Sequence, residues 1–437
     1  MPFSRDESGV LTLDGIELTE LVQRFGTPSY VYDLDAMALA ARTLQSAFDG
    51  VSHLVAYAVK ANAAGGVVRA LACEGCGADV VSGAELMVAL ACGITADRIV
   101  FSGVAKTDEE LDRAIACGPH GIQAVQIESP EEIARLEARA RVAGRKARVS
   151  IRVNPGLDLK DATHANIATG HAAAKFGVAS AEVGRAVDMV AASRHLELVG
   201  LATHVGSQLS STTPYVQSAR VLFAIARALR QGARGRSLSF LDTGGGFGID
   251  YGSPFPPGRP EHSPPPPPAP ADYVRAVRSE QRGAGLDDLA LYVEPGRSLV
   301  ASHGVLVARV VQAKVASGVR WLMIDAGMND LLRPALYQAV HRIVPLEHEI
   351  DERHAAPWRV VGPVCESTDD FGQHPLNLDP PGAVAILDAG AYGYAMASQY
   401  NGRQLPVEIF VAGGRVVGST VRRSVEAWAE ERAAAGA

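Results

Sequence analysis

A chain of 437 residues with 47% hydrophobic and 20% charged side chains has the material for a sizeable core and the length of two or three domains. Its formal net charge is −7 and its basic residues are scattered, which excludes a nucleic-acid footprint and a polybasic membrane anchor. The opening MPFSRDESGV carries acids without an apolar run, and no apolar stretch approaches the ~18 residues of a membrane span, so a cytoplasmic protein is expected.

Residues 1–35 read as an N-terminal segment packing on a β domain, to which SYVYDL adds a strand. From residue 36 to 298 short apolar runs alternate with amphipathic helical patterns, the signature of β-α units around a parallel sheet. The predicted strands are HLVAYAV, ADVVS, RIVFSG, AVQIES, ARVSIRV, LVGLATHV, LSFLDT and LALYVE, and eight repeats predict a closed (β/α)8 barrel of the TIM type. GAELMVALACG, TDEELDRAIACG, PEEIARLEARARVAG and TPYVQSARVLFAIARALRQ carry apolar residues at helical spacing. Cys73 and Cys76 form a CxxC within an apparent helix, with no second pair or histidine couple beside it. Small buried residues are the plainer reading, and no metal is expected. After the seventh strand, PFPPGRPEHSPPPPPAPADY is too rich in proline to enter a sheet or helix interior, so a polyproline-like or disordered surface insertion is expected. Residues 299–437 lose the helical pattern. GVLVARVVQAKV, RWLMIDAG, HRIVPLEH, WRVVGPVC, AVAILDAG and the hairpin VEIFVAGGRVVGST predict a C-terminal all-β domain.

Active-site groups of such a barrel stand at the C-terminal ends of its strands. Lys60 follows the first strand, His204 ends the sixth, Gly244, Gly245 and Gly246 follow the seventh, and Glu294 ends the eighth. Lys60 is one of six lysines, and an amine desolvated at an apolar strand end can form a Schiff base. Glycines after the seventh strand let backbone approach an anion where such barrels bind phosphate. A carboxylate such as Glu294 can keep a cofactor's pyridine nitrogen protonated, and the flat ring of His204 can stack on a planar cofactor. Arg333 and Tyr337 lie four apart, on one face of a helical turn, and an arginine can grip a carboxylate bidentately. Cys365 and Glu366 are adjacent, so both can face one ligand only where the backbone turns. Each residue alone also fits a plain role: a surface lysine or arginine, a structural glutamate, a satisfied histidine, a small buried cysteine, a tight glycine turn.

Taken together, AYAVKANA, SGAEL, RVNPG, HANIATGHAAAKFGV, HVGSQ, GGGFGIDY, EPGRSLV, DAGMNDLLRPALYQAVH, GPVCES and DAGAYGYAMASQYNGR are highly specific. They run from about residue 25 to 425, and the chain that carries them resembles the alanine-racemase-fold (type III) pyridoxal-phosphate decarboxylases. The resemblance implies pyridoxal 5'-phosphate as cofactor, with Lys60 as its Schiff-base lysine, His204 stacked on the ring and Glu294 at the pyridine nitrogen. It assigns the phosphate to Ser207, Gly244, Gly245, Gly246, Gly296, Arg297 and Tyr392. Arg297, Arg333, Tyr337 and Tyr392 would bind substrate, the first three at its distal carboxylate, with Glu366 at its distal ammonium. Cys365 would protonate the α-carbon from the neighbouring subunit, making a homodimer with shared active sites. The implied reaction is decarboxylation of meso-2,6-diaminopimelate to L-lysine. A related decarboxylase of ornithine, arginine or a carrier-bound glutamyl group stays open, racemisation is disfavoured by Glu294, and a non-catalytic descendant is disfavoured by the joint presence of Lys60, Glu294 and Cys365. The proline-rich insertion and the local pattern CESTDD depart from the family.

Overall fold

The computed structural model describes residues 3–157, 169–171, 174–232, 235–252, 265–351, 353–377 and 379–435. Part of HANIATGHAAAKFGV and residues 254–264 of the proline-rich insertion lie outside them. The chain divides into two compact units, Ala38–Ile249 with Pro266–Leu299, and Met1–Met37 with Asp250–Pro265 and Val300–Ala437.

The first unit is the expected barrel. Its strands are β1 (His53–Ala58), β2 (Gly77–Val80), β3 (Ile99–Phe101), β4 (Ala124–Ile127), β5 (Ala147–Asn154), β6 (Leu196–Thr203), β7 (Phe240–Asp242) and β8 (Ala290–Val293). Each is parallel to the next, and the ring closes where Leu291 of β8 pairs with His53 of β1. The strands read as apolar runs because both faces are covered, as for the consecutive buried residues Leu54, Val55, Ala56, Tyr57 and Ala58 in β1. Helix starts follow their capping chemistry. Thr107 and Glu110 form a reciprocal capping box on Asp108–Ala116, while Ser82 and Ser129 accept the third-turn-position N–H groups of Glu85 and Glu132 at 3.2 and 3.4 Å. The CxxC expectation needs correcting. The helix Gly65–Cys73 stops at the first cysteine, Cys73 is exposed, and Cys76 is buried just before β2, where desolvation pushes its thiol up to about 12.

The second unit holds a mixed sheet in the order Asp370–Asn377, Ala355–Val361, Val319–Ile324, Gly304–Ala316, Ser29–Asp33, Val407–Ala412, Arg415–Ser419. SYVYD is the strand Ser29–Asp33, buried along its whole length between Gly304–Ala316 and Val407–Ala412. Its apolar face joins Leu11, Val305, Leu346, Ile409 and their neighbours in one core. The strand Asp370–Asn377 is absent from the sequence-based expectations because it contains Gly372 and Pro375. It tolerates the proline as the edge strand of the sheet. The small sheet Phe3–Arg5, Leu11–Leu13, Ile16–Glu17 and the terminal helix Val425–Ala434 were also missed, the latter because it buries no residue and so has no apolar stripe to read. No described helix is long and apolar enough to cross a membrane.

One glycine in the barrel wall is required by packing. The β5–β6 register shifts between Leu198 and Gly200, and a Cβ on Gly200 would sit inside the Phe240 ring, which stacks on Tyr292 at a 4.2 Å centroid separation. Gly200→Ala is therefore expected to cost ~1–3 kcal/mol by overpacking. It should lower the urea midpoint without changing the slope of the transition, and a native midpoint would contradict this packing.

Candidate active site

Lys60 leaves the end of β1 in the short turn Val59–Ala61, with its side chain 36% exposed, and its Nζ pairs with the fully buried carboxylate of Asp79 at the end of β2. Asp79 is held from its other oxygen by Ser102 Oγ at 2.6 Å. A second lysine, Lys106, is more deeply buried, but its Nζ donates to Gly103 O at 2.7 Å, Gln126 O at 2.6 Å and Glu132 Oε1 at 2.9 Å. An ammonium has three protons to donate, so Lys106 is saturated and serves as an internal tie. Of these two lysines in the barrel mouth, Lys60 combines an acidic partner with access.

Glu294, just past β8, is 6% exposed and accepts from Gln126 Nε2 at 2.7 Å; the same amide reaches Asp242 Oδ2 at 3.3 Å. Gln126 comes from β4, so it crosses the lumen to touch the ends of β7 and β8. Burial pushes the Glu294 carboxyl well above its usual range, helped by the negative charges of Asp242 and Asp79 and opposed by Lys60 and Arg152. Burial likewise pushes Asp242 up to about 7 against the N–H of Gly244, which donates to its Oδ1 at 2.8 Å. Arg152 in β5 is tied to Glu128 at 2.9 Å with its guanidinium 4.8 Å from the Phe176 ring centroid.

His204 is kept neutral: desolvation, then the positive charges of Arg152 and Lys60, hold its imidazole well below the usual range. Geometry agrees, because the Gly245 N–H donates to Nδ1 at 3.1 Å, so Nδ1 carries a lone pair. The 4.0 Å approach of Glu294 Oε2 to that nitrogen is therefore not an ion pair. The glycine loop is glycine because it lies directly on backbone. A Cβ on Gly245 would meet the Glu294 carbonyl, one on Gly246 the Gly206 carbonyl, and one on Gly244 the carbonyl of Thr203 and the ring of His204. Gly244 and Gly246 also have φ of +73° and +91°. Gly296 packs so closely on Ala58 and Ala61 that the β8 loop lies against the turn that carries Lys60, and next to it Arg297 donates to Ser207 Oγ at 2.9 Å.

The other predicted residues belong to the second unit. Arg333 opens the helix Arg333–Tyr337 and is 5% exposed; Tyr337, half-buried, closes it. Cys365 and Glu366 lie beyond the end of the strand Ala355–Val361, in a turn, and both are exposed. Asp369 shapes that turn by accepting from the N–H groups of Val364 and Met328, each at 2.6 Å, which accounts for the pattern CESTDD. The Cys365 N–H donates to Asn401 Oδ1 at 2.9 Å. Tyr392 is half-buried, with φ of +56°. Among the described residues the one acidic group compact enough for a cation is Asp14, Asp33 and Asp35 in this unit, and nothing else there points to an ion. Sequence reasoning missed Asp79, Gln126, Asp242, Glu128 and Arg152. Their signal was a polar letter within or at the end of a strand run.

This donor set fits pyridoxal 5'-phosphate. Asp79, Asp242 and Glu294 crowd the barrel mouth, and burial, with the charges of Asp242 and Asp79, favours the protonated form of Glu294, a proton that a pyridine nitrogen is suited to share. The retained proton has a measurable sign. The fold keeps a proton on Asp242 that the unfolded chain releases above 3.8, so this stabilisation is complete below 3.8 and is lost as pH rises through about 7. His204 acts with the opposite sign, but only below 6.5. Asp242→Asn should therefore flatten the fall in unfolding free energy of the cofactor-free protein, relative to the native chain, between about pH 4 and about pH 7 in urea titrations. An unaltered slope would contradict a shared proton at this position.

Residues 34–301 match the family described as pyridoxal-dependent decarboxylase, pyridoxal binding domain. The chain is 38% identical over 431 residues to a diaminopimelate decarboxylase of Zymomonas mobilis, covering 98% of this chain and 97% of that one. It is 40% identical over 407 residues to a diaminopimelate decarboxylase of Pseudomonas fluorescens, covering 93% and 92%. Among solved structures it is similar to diaminopimelate decarboxylase from Helicobacter pylori complexed with L-lysine, at a TM-score of 0.85 and 37% identity over 96% of this chain and 100% of that one. A family match over most of the chain and likeness along nearly its whole length place it without ambiguity: the chain belongs to the pyridoxal-dependent decarboxylases, in the branch of the diaminopimelate decarboxylases.

Proposed function

We propose that this chain decarboxylates meso-2,6-diaminopimelate to L-lysine and carbon dioxide, using pyridoxal 5'-phosphate, in lysine biosynthesis. The observation that carries the reading is the accessible amine of Lys60 beside buried Asp79, in a barrel mouth where buried Glu294 is held by Gln126. Ornithine, arginine or a carrier-bound glutamyl group has no comparable support, since similar chains at 36–40% identity are named diaminopimelate decarboxylases.

When bound, the cofactor ring supplies a sink for the electron pair left as carbon dioxide departs. Lys60 would hold it covalently, with Asp79 orienting the amine. Glu294 would pass its retained proton to the pyridine nitrogen and stay beside it as a carboxylate, in a setting dry enough to make that pair strong. Neutral His204 would cover the ring face without adding charge. Ser207, Gly244, Gly245, Gly246, Gly296, Arg297 and Tyr392 would hold the phosphate. For the substrate, Arg297, Arg333 and Tyr337 would take the distal carboxylate, Glu366 the distal ammonium, and Tyr392 would contribute a further contact. Cys365 would deliver a proton from Sγ to the α-carbon after carbon dioxide leaves.

The working form in this reading is a homodimer with Cys365 and Glu366 supplied across the interface. Their exposure on the single chain supports it. A cytoplasmic location suits the five free cysteines.

Carbon dioxide release from meso-2,6-diaminopimelate by the cofactor-loaded protein is the direct assay. Cys365→Ala is expected to lower kcat by roughly 10²–10⁴ as lost general-acid catalysis, and Lys60→Ala to abolish turnover. Mixing inactive Lys60→Ala and Cys365→Ala chains should restore about a quarter of native activity, because half of the dimers then contain one intact composite site. Absence of release would sink the substrate assignment, and absence of complementation would sink the shared site.

A further inference from the structure

Arg333 is fixed by a relay that the assignments above do not use. Its Nη1 donates to His341 Nε2 at 2.6 Å, and His341 Nδ1 lies 2.9 Å from the carbonyl oxygen of Leu387. A carbonyl can only accept, so Nδ1 carries the ring proton and Nε2 presents the lone pair that Arg333 needs. His341 is 2% exposed, so no water competes for either bond. A neutral acceptor at Nη1 fixes the plane of the guanidinium without cancelling its charge. The guanidinium carbon lies over the Tyr251 ring, 4.5 Å from its centroid, and Tyr251 meets the His341 ring edge-on at 5.3 Å. The next residue, Arg342, pairs with buried Asp388, with Nε 3.0 Å from Oδ2. Two consecutive side chains therefore pin Leu387 and Asp388, at the start of the loop that bears Tyr392.

We propose that His341 is a positioning residue for substrate recognition: locked in one tautomer by Leu387, it aims the Arg333 guanidinium at the distal carboxylate and ties it to the Tyr392 loop. This rests on the reading of Arg333 as the carboxylate anchor. A hydrogen bond to a charged group contributes at ground-state binding, so its loss should appear in KM rather than kcat.

Asn and Gln divide the two bonds of the imidazole. His341→Asn places an amide where Nδ1 was and keeps the Leu387 bond, whereas His341→Gln carries an acceptor oxygen to the place of Nε2 and keeps the Arg333 bond. With the cofactor-loaded enzyme, His341→Asn is expected to raise KM for meso-2,6-diaminopimelate about tenfold with kcat little changed, and to weaken L-lysine binding in calorimetry by a similar factor. His341→Gln should recover most of both. In an Arg333→Ala background, His341→Asn should add less than about twofold, since the pair acts as one unit. A native KM in His341→Asn, alongside a raised KM in Arg333→Ala, overturns the positioning role alone. A native KM in Arg333→Ala overturns the anchor reading and this proposal with it. Equal losses of thermal stability and kcat in the Asn and Gln variants, without a KM difference, would mark His341 as structural and also overturn it.

Discussion

Three carboxyl groups buried in one barrel mouth set the problem that the rest of the structure answers. Asp79 and Asp242 have no measurable exposure and Glu294 only 6%. Their mutual repulsion in a poorly solvated space would be severe if all were ionised. The chain answers Asp79 with Lys60 and Ser102, gives Asp242 the Gly244 N–H and shares the Gln126 amide between Asp242 and Glu294, while burial shifts both of these toward their protonated forms. A protonated acid at a strand end, across from an accessible amine, is an arrangement of use to a heteroaromatic ring that takes up a proton and needs covalent attachment.

The surrounding backbone makes this arrangement rigid. Gly245 lies against the Glu294 carbonyl and donates to His204, so the β7 loop is packed on the β8 end and hydrogen-bonded to the residue that follows β6. Gly296 couples the β8 loop to the turn of Lys60 in the same way. The glycines thus serve close packing first, and whatever anion they meet finds a loop already fixed in place. In the second unit, His341 and Arg342 perform a comparable service by pinning one segment from two adjacent positions.

What could be read in the sequence follows from these constraints. All eight barrel strands were visible because strands covered on both faces become apolar runs, and Lys60, His204 and Glu294 stood out as polar residues at the ends of those runs. Asp79, Gln126 and Arg152 sit inside the runs, and nothing local says that a polar side chain there faces a lumen rather than interrupting a wall. Lys106 was equally silent: its partners Gln126 and Glu132 are distant in sequence, and only the fold shows that all three of its protons are used. The edge strand Asp370–Asn377 was hidden by Gly372 and Pro375, residues that weaken a strand signal and that an edge tolerates.

The account stands on the identity of one amine. Reduction of the holoprotein with borohydride, followed by peptide mass analysis, makes any imine linkage permanent and locates it. The pyridoxyl group is expected on Lys60 alone. Label on Lys106, or a Lys60 peptide of unchanged mass after reduction, would contradict the assignment of the barrel mouth from which every other role is argued.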